Sequence, residues 1–151
     1  MRLVIATAGR WKKGPERDLF EHFAKRITYP LELREIEEKK KLKPAALKAR
    51  EAELLLAQVS AAAVIVALHE GGKTLSSTAF AAKLGNWRDQ ARDVAFLIGG
   101  ADGLDDAVIK RADWVMGLGT MTWPHLLVRG MLTEQIYRAQ CILAGHPYHR
   151  E

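Results

Sequence analysis

The stretch AFLIGGADGLDD, Ala95–Asp106, contains an apolar run that stops at two adjacent glycines. The run has no polar alternation, which is typical of a parallel strand covered on both faces. AAAVIVAL, Ala61–Leu68, has the same character. Further apolar runs recur along the chain, at Leu3–Ala6, Leu31–Ile36 and Trp114–Leu118. Strands that alternate with helical segments predict an α/β fold, with a mainly parallel sheet flanked by helices.

The segments between these runs carry apolar residues at helical spacing. Two stripes predict the first helices: Leu19, Phe20, Phe23 and Ile27, then Leu47, Leu54, Leu55 and Val59. Shorter helices are expected over Leu75–Leu84 and Ala107–Ala112, and the longest over about Trp123–Leu143. The positions expected to be buried in this last helix are Leu127, Met131, Ile136, Tyr137 and Leu143.

Length and composition describe an ordinary globular chain. Its 151 residues, with 48% hydrophobic and 27% charged, predict a single domain over residues 1–151. The apolar start is too short for a secretory leader, and no later run approaches a membrane span, so we expect a cytoplasmic protein without membrane contact. One cysteine, Cys141, excludes an internal disulfide framework, and the five histidines form no metal-ligand pattern. The net charge of +5 is only a weak indication of an anionic partner.

Three glycine-containing segments follow consecutive predicted strands: HEGGK, GGADG and GLGTMTW. Ligands of open α/β sheets bind in such loops, and glycine lets the backbone approach a ligand closely. Neither G-x-G-x-x-G nor G-x-x-x-x-G-K-[ST] is present. Asp102, Asp105 and Asp106 would repel a phosphate, although helix capping is the first interpretation of Asp105 and Asp106. The loops therefore predict a binding site for a ligand without phosphate.

Three segments together resemble the RlmH family: LIGGADGL (Leu97–Leu104), MTWPHLLVRGMLTEQIYRA (Met121–Ala139) and HPYHRE (His146–Glu151). This resemblance covers essentially the whole chain. RlmH proteins are SPOUT-superfamily methyltransferases that act on N3 of a pseudouridine in large-subunit (23S) rRNA. The resemblance implies a homodimer that acts on the assembled ribosome. It also implies a C-terminal trefoil knot that holds S-adenosyl-L-methionine, a cofactor without phosphate.

The resemblance also implies which residues contact the cofactor. Leu68 ends the third strand, Gly99 and Gly100 form the loop pair, and the knot loop comprises Leu118, Gly119, Thr120, Met121, Thr122 and Trp123. The chain has Ala101-Asp102 where the family commonly has Pro-Glu. The carboxylate is kept and only the preset φ of proline is lost, so we expect little effect on cofactor binding.

Tyr148, His149 and Arg150 match the terminal motif of the family and are the predicted catalytic residues. The resemblance places this tail over the cofactor of the partner subunit. His149, or a water that it holds, would take the N3 proton, and Arg150 would steady the uracil oxygens or a phosphate. Chain ends are often disordered, so an inert tail is the alternative.

Two basic segments could contact RNA. Arg10, Trp11, Lys12 and Lys13 follow the first strand, and an aromatic among cations can grip a backbone and stack on a base; a solvated loop with a partly buried Trp is the alternative. The second cluster, Lys39, Lys40, Lys41 and Lys43, is typical of a solvated turn.

The start of the last helix offers further candidates. His125 could contact RNA or the opposite subunit, or simply pack locally, and Arg129 could contact a phosphate or a dimer partner. Gly130 lies inside that helix and suggests a close backbone contact at a dimer interface.

Two other functions compete with catalysis on RNA. One is a non-catalytic RNA- or ribosome-binding module of the same fold. The other is a flavodoxin-like enzyme with a phosphorylated cofactor, which the missing phosphate loops disfavour.

Overall fold

The computed structural model describes residues 1–150. Its centre is a five-stranded parallel sheet with the strand order β2-β1-β4-β3-β5. The strands are β1 Leu3–Ala8, β2 Leu31–Ile36, β3 Val64–Lys73, β4 Val94–Ile98 and β5 Trp114–Met116. The predicted α/β class is therefore confirmed.

Five helices cover the two faces of the sheet: α1 Pro15–Ala24, α2 Pro44–Ala57, α3 Ser77–Asp89, α4 Asp106–Arg111 and α5 His125–Leu143. On one face α5 packs between α1 and α3, over a core that includes Leu3, Ile5 and Phe96. On the other face α2 and α4 cover Ala6, Ile65 and Leu97. Alternate residues of each strand thus enter opposite cores, which explains the unbroken apolar runs.

The helix ends follow local chemistry and correct several predicted bounds. Prolines at the first turns of α1 and α2 favour helix initiation there. Ile27 lies beyond the end of α1 and Val59 beyond the end of α2. The Ser76 hydroxyl accepts a hydrogen bond from the Ala79 amide at 3.1 Å, so α3 begins later than predicted. The Asp105 carboxylate caps α4 by accepting from the Ala107 amide at 2.9 Å, as expected for that acid.

The predicted buried face of α5 is partly wrong. Ile136 is buried, whereas the predicted Leu127, Met131, Tyr137 and Leu143 are only half-buried. The buried face instead carries Arg129, Gly130, Leu132, Thr133, Ile136, Ala139 and Cys141. The apolar pattern could not indicate this because an arginine and a threonine occupy the centre of the face.

Gly130 has a role different from the predicted one. A Cβ at this position would lie 2.8 Å from Leu19 Cδ2 on α1. The glycine therefore allows α1 and α5 of the same chain to pack closely, and it gives no support to a dimer contact. The prediction that Gly130 makes a close contact is confirmed, but the contact is with Leu19 of the same chain and not with a second subunit.

The end of β3 forms an arch beside the end of β5. Met116 is paired with Leu68 and again with Lys73, on either side of residues 69–72. The Gly117 amide donates to the Lys73 carbonyl at 3.0 Å. A Cβ on Gly72 would lie 2.7 Å from the Met116 carbonyl carbon, so only glycine fits under this arch. The C-terminal knot implied by the resemblance stays a prediction.

None of the helices within residues 1–150 combines the length and the apolar character needed to cross a membrane.

Candidate active site

A cavity of about 690 Å³ opens at the carboxyl ends of β3, β4 and β5. We call it the glycine-loop cavity. Its volume is in the range of small-molecule sites. Three segments and one helix supply its walls: residues 68–70, residues 98–104, the stretch from Met116 to Val128, and Lys48 of α2. The sheet therefore brings the glycine-containing loops predicted from the sequence to one site.

The turn after β4 is the tightest part of the wall. A Cβ on Gly99 would lie 2.5 Å from the carbonyl carbon of Gly103. The Gly103 amide donates to the Gly100 carbonyl at 3.0 Å, and Gly103 has a φ of +81°. The bare backbone at Gly99 is thus a steric requirement of the turn, which presents peptide groups to the cavity.

The loop between β5 and α5 is fixed by two hydrogen bonds. The Trp123 indole donates to the Leu118 carbonyl at 3.1 Å, within the loop. The Thr122 hydroxyl donates to Glu70 Oε2 at 3.0 Å, across the mouth of the cavity. Met121 and Trp123 nevertheless rank among the large apolar side chains that are exposed. The loop is therefore held in shape while it offers apolar surface at the mouth.

The structure brings most of the predicted cofactor residues together. Those that line the glycine-loop cavity are Leu68, Gly99, Gly100, Leu118, Gly119, Met121, Thr122 and Trp123. Thr120 instead lines a neighbouring cavity of about 740 Å³, which also contacts Phe23, Leu75 and Glu134. Assignment of these residues to a cofactor stays a prediction.

Several lining residues were missed as cofactor contacts: Lys48, His69, Glu70 and His125. Asp102 also lines the cavity, and the sequence had indicated that its carboxylate lies near the ligand. HEGGK contained a signal for His69 and Glu70, because this motif follows a strand at the same edge of the sheet. Lys48 could not be predicted, because it comes from the second turn of α2 and not from a loop that follows a strand. The Nδ1 atom of His69 accepts from the Gly71 amide at 3.0 Å, so its Nε2 carries the proton when the ring is neutral.

Glu51 is a buried carboxyl group behind the wall. A Cβ on Gly100 would lie 3.0 Å from Glu51 Oε2. Burial raises the pKa of Glu51 above its ordinary value, and the nearby charge of Asp102 raises it further. On the other side of the cavity, burial and then the charge of Arg129 lower the pKa of His125. The cavity thus disfavours ionised Glu51 and protonated His125.

Glu51→Gln is expected to stabilise the protein at neutral pH. Because the pKa of Glu51 in the folded state lies above its unfolded value, ionised Glu51 costs stability, and this cost disappears as the pH falls through the folded pKa. The melting temperature at pH 7 should rise by about 2–4 °C, and the gain should vanish near pH 4. Circular dichroism melts measure both. Glu53→Gln is the control, because Glu53 is an exposed ion-pair partner of Arg50 on the same helix; an equal gain in both variants at pH 7 would contradict the assignment.

The predicted catalytic tail lies against its own α5. The Tyr148 hydroxyl donates to Glu134 Oε1 at 2.9 Å, and the Arg138 guanidinium lies 4.8 Å from the Tyr148 ring centroid. Arg138 Nη1 lies 3.2 Å from His149 Nδ1, whereas Arg150 is exposed. None of Tyr148, His149 and Arg150 lines the glycine-loop cavity of the same chain. The tail is therefore ordered, but away from the predicted cofactor residues.

Two predictions about cations and aromatics are settled by burial. Arg129 is fully buried, so it cannot be a surface phosphate contact or a surface salt bridge. Trp11 is half-buried, with its ring 5.1 Å from that of Phe20 and 4.7 Å from the Arg129 guanidinium carbon. This arrangement favours the second interpretation of Trp11, a partly buried side chain, and not a ring that is free to stack on a base. Lys12, Lys13 and the second cluster, Lys39, Lys40, Lys41 and Lys43, are exposed.

Within residues 1–150, no three His, Cys, Asp or Glu side chains are grouped so that they could hold a metal ion.

Comparison with known proteins identifies the family. The model described as "Predicted SPOUT methyltransferase" matches residues 1–149. The chain belongs to the SPOUT methyltransferase family. This SPOUT methyltransferase is 58% identical over 151 residues to the ribosomal RNA large subunit methyltransferase H of Rhodospirillum centenum, with 99% of each chain covered. It is 56% identical to the protein of that name from Paramagnetospirillum magneticum, again over 99% of each chain.

A solved structure agrees on the fold of this SPOUT methyltransferase. The putative methylase family protein from Neisseria gonorrhoeae superposes with a TM-score of 0.54 at 10% identity, covering 98% of this chain and 95% of that one. At that identity the likeness concerns the fold alone.

Proposed function

We propose that this SPOUT methyltransferase transfers a methyl group from S-adenosyl-L-methionine to N3 of a pseudouridine in large-subunit rRNA. The observation that carries the proposal is the glycine-loop cavity, in which the loops that follow β3, β4 and β5 meet. Full-length relatives at 58% and 56% identity are named as large-subunit rRNA methyltransferases. N3 of a pseudouridine as the target follows from the resemblance of the three motifs to the RlmH family.

The residues present fit this cofactor. The wall combines bare peptide groups at Gly99–Gly103 with apolar side chains such as Leu68, Ile98 and Leu118. Its charged members include the carboxylates Glu70 and Asp102, and among residues 1–150 Lys48 is the one Lys or Arg that lines it. A ligand with an adenosine, a sulfonium and no phosphate matches such a set, whereas a phosphorylated cofactor does not. Backbone groups of the three loops would hold it.

When bound, the cofactor supplies an electrophilic methyl group and its own leaving group, so the protein has to orient the base and remove the N3 proton. We assign the proton step to His149 or a water beside it. A guanidinium can only donate, so His149 Nδ1 accepts from Arg138 in the observed conformation. His149 must break this contact before Nδ1 can take a proton. Arg150, which is exposed, would hold the uracil oxygens or a phosphate.

A homodimer completes the site in this proposal. The tail of one chain lies on α5, outside its own glycine-loop cavity, which supports a site that the tail completes across a subunit boundary. The half-buried apolar face of α5, with Leu127 and Met131, and the exposed Met121 and Trp123 supply apolar surface for such a contact. The assembled ribosome is the proposed substrate, in the cytoplasm.

The proposal is tested by methylation of large ribosomal subunits from a strain that lacks the enzyme. We expect one methyl group per subunit with S-adenosyl-L-methionine, located by mass mapping to N3 of a single pseudouridine. Heat released when the cofactor is titrated into the protein separates an enzyme from a non-catalytic binding module. Heat of cofactor binding without methyl transfer to any rRNA would contradict rRNA as the substrate. Absence of both the heat and the methyl transfer would contradict the assignment as a methyltransferase.

Affinity for the rRNA should depend strongly on salt. A dimer carries twice the net charge of +5, and neutralising roughly four to six phosphates lowers affinity by orders of magnitude between low and moderate salt. Filter binding at 50 and 200 mM salt measures the slope. An affinity that does not change with salt would exclude RNA as the ligand of the two basic segments.

A further inference from the structure

Arg129 is a fully buried cation that the proposed methyl transfer does not use. Within residues 1–150 no carboxylate lies at ion-pair distance from it, and its Nε and Nη1 atoms are buried without a hydrogen-bond partner. Burial lowers the pKa of the guanidinium, and only the more distant charge of Glu35 opposes this effect. A buried charge without an acid partner is costly, and an apolar side chain of similar volume would serve packing better. The position therefore calls for a role beyond packing.

Within residues 1–150, the hydrogen bonds of the Arg129 guanidinium all go to one segment. Its Nη2 atom donates to the carbonyls of Ala8 at 3.0 Å and Gly9 at 2.8 Å, where β1 ends. Its guanidinium also packs against the Trp11 ring. Gly9 has a φ of +88°, so the chain turns sharply at this point. Arg129 thus fixes the direction in which the loop Gly9–Gly14 leaves the sheet.

The anchored Trp11 determines where its neighbours point. Trp11 is held inward between Phe20 and Arg129, whereas Arg10, Lys12 and Lys13 are exposed. Of these three, Arg10 alone has an acidic partner within the described part of the chain: Glu37, at 3.5 Å, with both side chains exposed. The loop therefore presents three cations to solvent at the carboxyl edge of the sheet. Cations presented in this way suit the phosphates of a nucleic acid backbone.

The same helix reaches the glycine-loop cavity. His125, one turn before Arg129, and Val128 both line that cavity. A Cβ on Gly9 would lie 3.8 Å from both Arg129 Nη2 and His125 Nε2. The end of β1 therefore lies beside Arg129 and beside His125, and His125 belongs to the cavity wall. The first turns of α5 therefore connect the basic loop with the cavity.

We propose that Arg129 is a positioning residue that fixes the loop Gly9–Gly14 relative to the glycine-loop cavity, so that its cations hold an RNA backbone while the target base lies at the cavity. The inference rests on the proposed function, because that function makes RNA the ligand. Arginine suits the role because its planar guanidinium binds two carbonyls and packs against an aromatic ring, which a lysine ammonium cannot reproduce.

Arg129→Met and Arg129→Lys test the proposal. We expect KM for large ribosomal subunits to rise about tenfold in both, with kcat and the affinity for S-adenosyl-L-methionine within about threefold of wild type. Arg92→Met is the matched control, because it removes the same charge from an exposed arginine that donates to the Ala62 carbonyl. Its KM should stay near that of the wild type. An equal rise in the control would assign the effect to net charge and overturn the proposal.

A double-mutant cycle separates positioning from stability. Lys12→Gln/Lys13→Gln is combined with Arg129→Met, or with Arg129→Lys if the methionine variant does not fold, and rRNA affinity is measured by filter binding. If Arg129 acts through the loop, the combined loss is smaller than the sum of the separate losses. Full additivity overturns the proposal. So does wild-type KM in Arg129→Lys, or failure of both Arg129 variants to fold. An inactive wild-type enzyme would instead contradict the proposed function, and the affinity cycle would still report on Arg129.

Discussion

Deletion of His149–Glu151 is expected to lower the single-turnover rate of methyl transfer by about 100-fold or more. A positioned proton acceptor typically contributes 10²–10⁴-fold to a rate, and the deletion also removes Arg150. Cofactor should still bind to the deletion variant, because the wall of the glycine-loop cavity is built without residues 148–150 of the same chain. Rapid-quench measurements at saturating cofactor and ribosomal subunit report the chemical step.

Two further variants locate the effect within the tail. Deletion of Glu151 alone is the control and should retain the wild-type rate. His149→Asn keeps a polar side chain that can form hydrogen bonds but cannot take up a proton. If His149 is the proton acceptor, this variant should lose most of the methyl-transfer rate. A wild-type rate for the longer deletion would remove the tail from the mechanism.

Gly99→Ala should weaken binding of S-adenosyl-L-methionine by about 10- to 100-fold. The added Cβ would lie 2.5 Å from a backbone carbon of Gly103, so the turn after β4 must shift. Forcing an extra carbon into a packed site costs about 1–3 kcal/mol, and each 1.4 kcal/mol is a factor of ten in affinity. Isothermal titration calorimetry measures the change.

Gly145→Ala is the matched control for Gly99→Ala. Gly145 has a φ of +67° and open space at its Cβ position, just after α5. Alanine there is strained by about 1–2 kcal/mol, so the variant should be destabilised without any loss of cofactor affinity. If Gly99→Ala and Gly145→Ala bind S-adenosyl-L-methionine with equal affinity, the turn after β4 does not contribute to the cofactor site.

The parts of the fold that depend on apolar pattern could be predicted from the sequence. AAAVIVAL and VAFLIGG identify central strands because both faces are covered, and strand ends locate the three loops. The predicted resemblance to SPOUT methyltransferases is confirmed over residues 1–149. Asp105 was identified as a helix cap because its chemistry is local.

Long-range contacts could not be predicted. The burial of Arg129 depends on carbonyls more than a hundred residues earlier in the chain, and no local pattern indicates it. The contact of Gly130 with Leu19 has the same cause: the sequence shows that space is needed but not which element fills it. Lys48 enters the cavity wall from a helix whose pattern indicates only an amphipathic surface element. Thr120 lines the neighbouring cavity, although Gly119 and Met121 on either side of it line the glycine-loop cavity; Gly119 has a φ of +103°.

The glycine-loop cavity takes much of its wall from the stretch between Met116 and Val128, in the last quarter of the chain. During translation these residues leave the ribosome after every other wall segment. A nascent chain therefore has no complete pocket until synthesis is nearly finished.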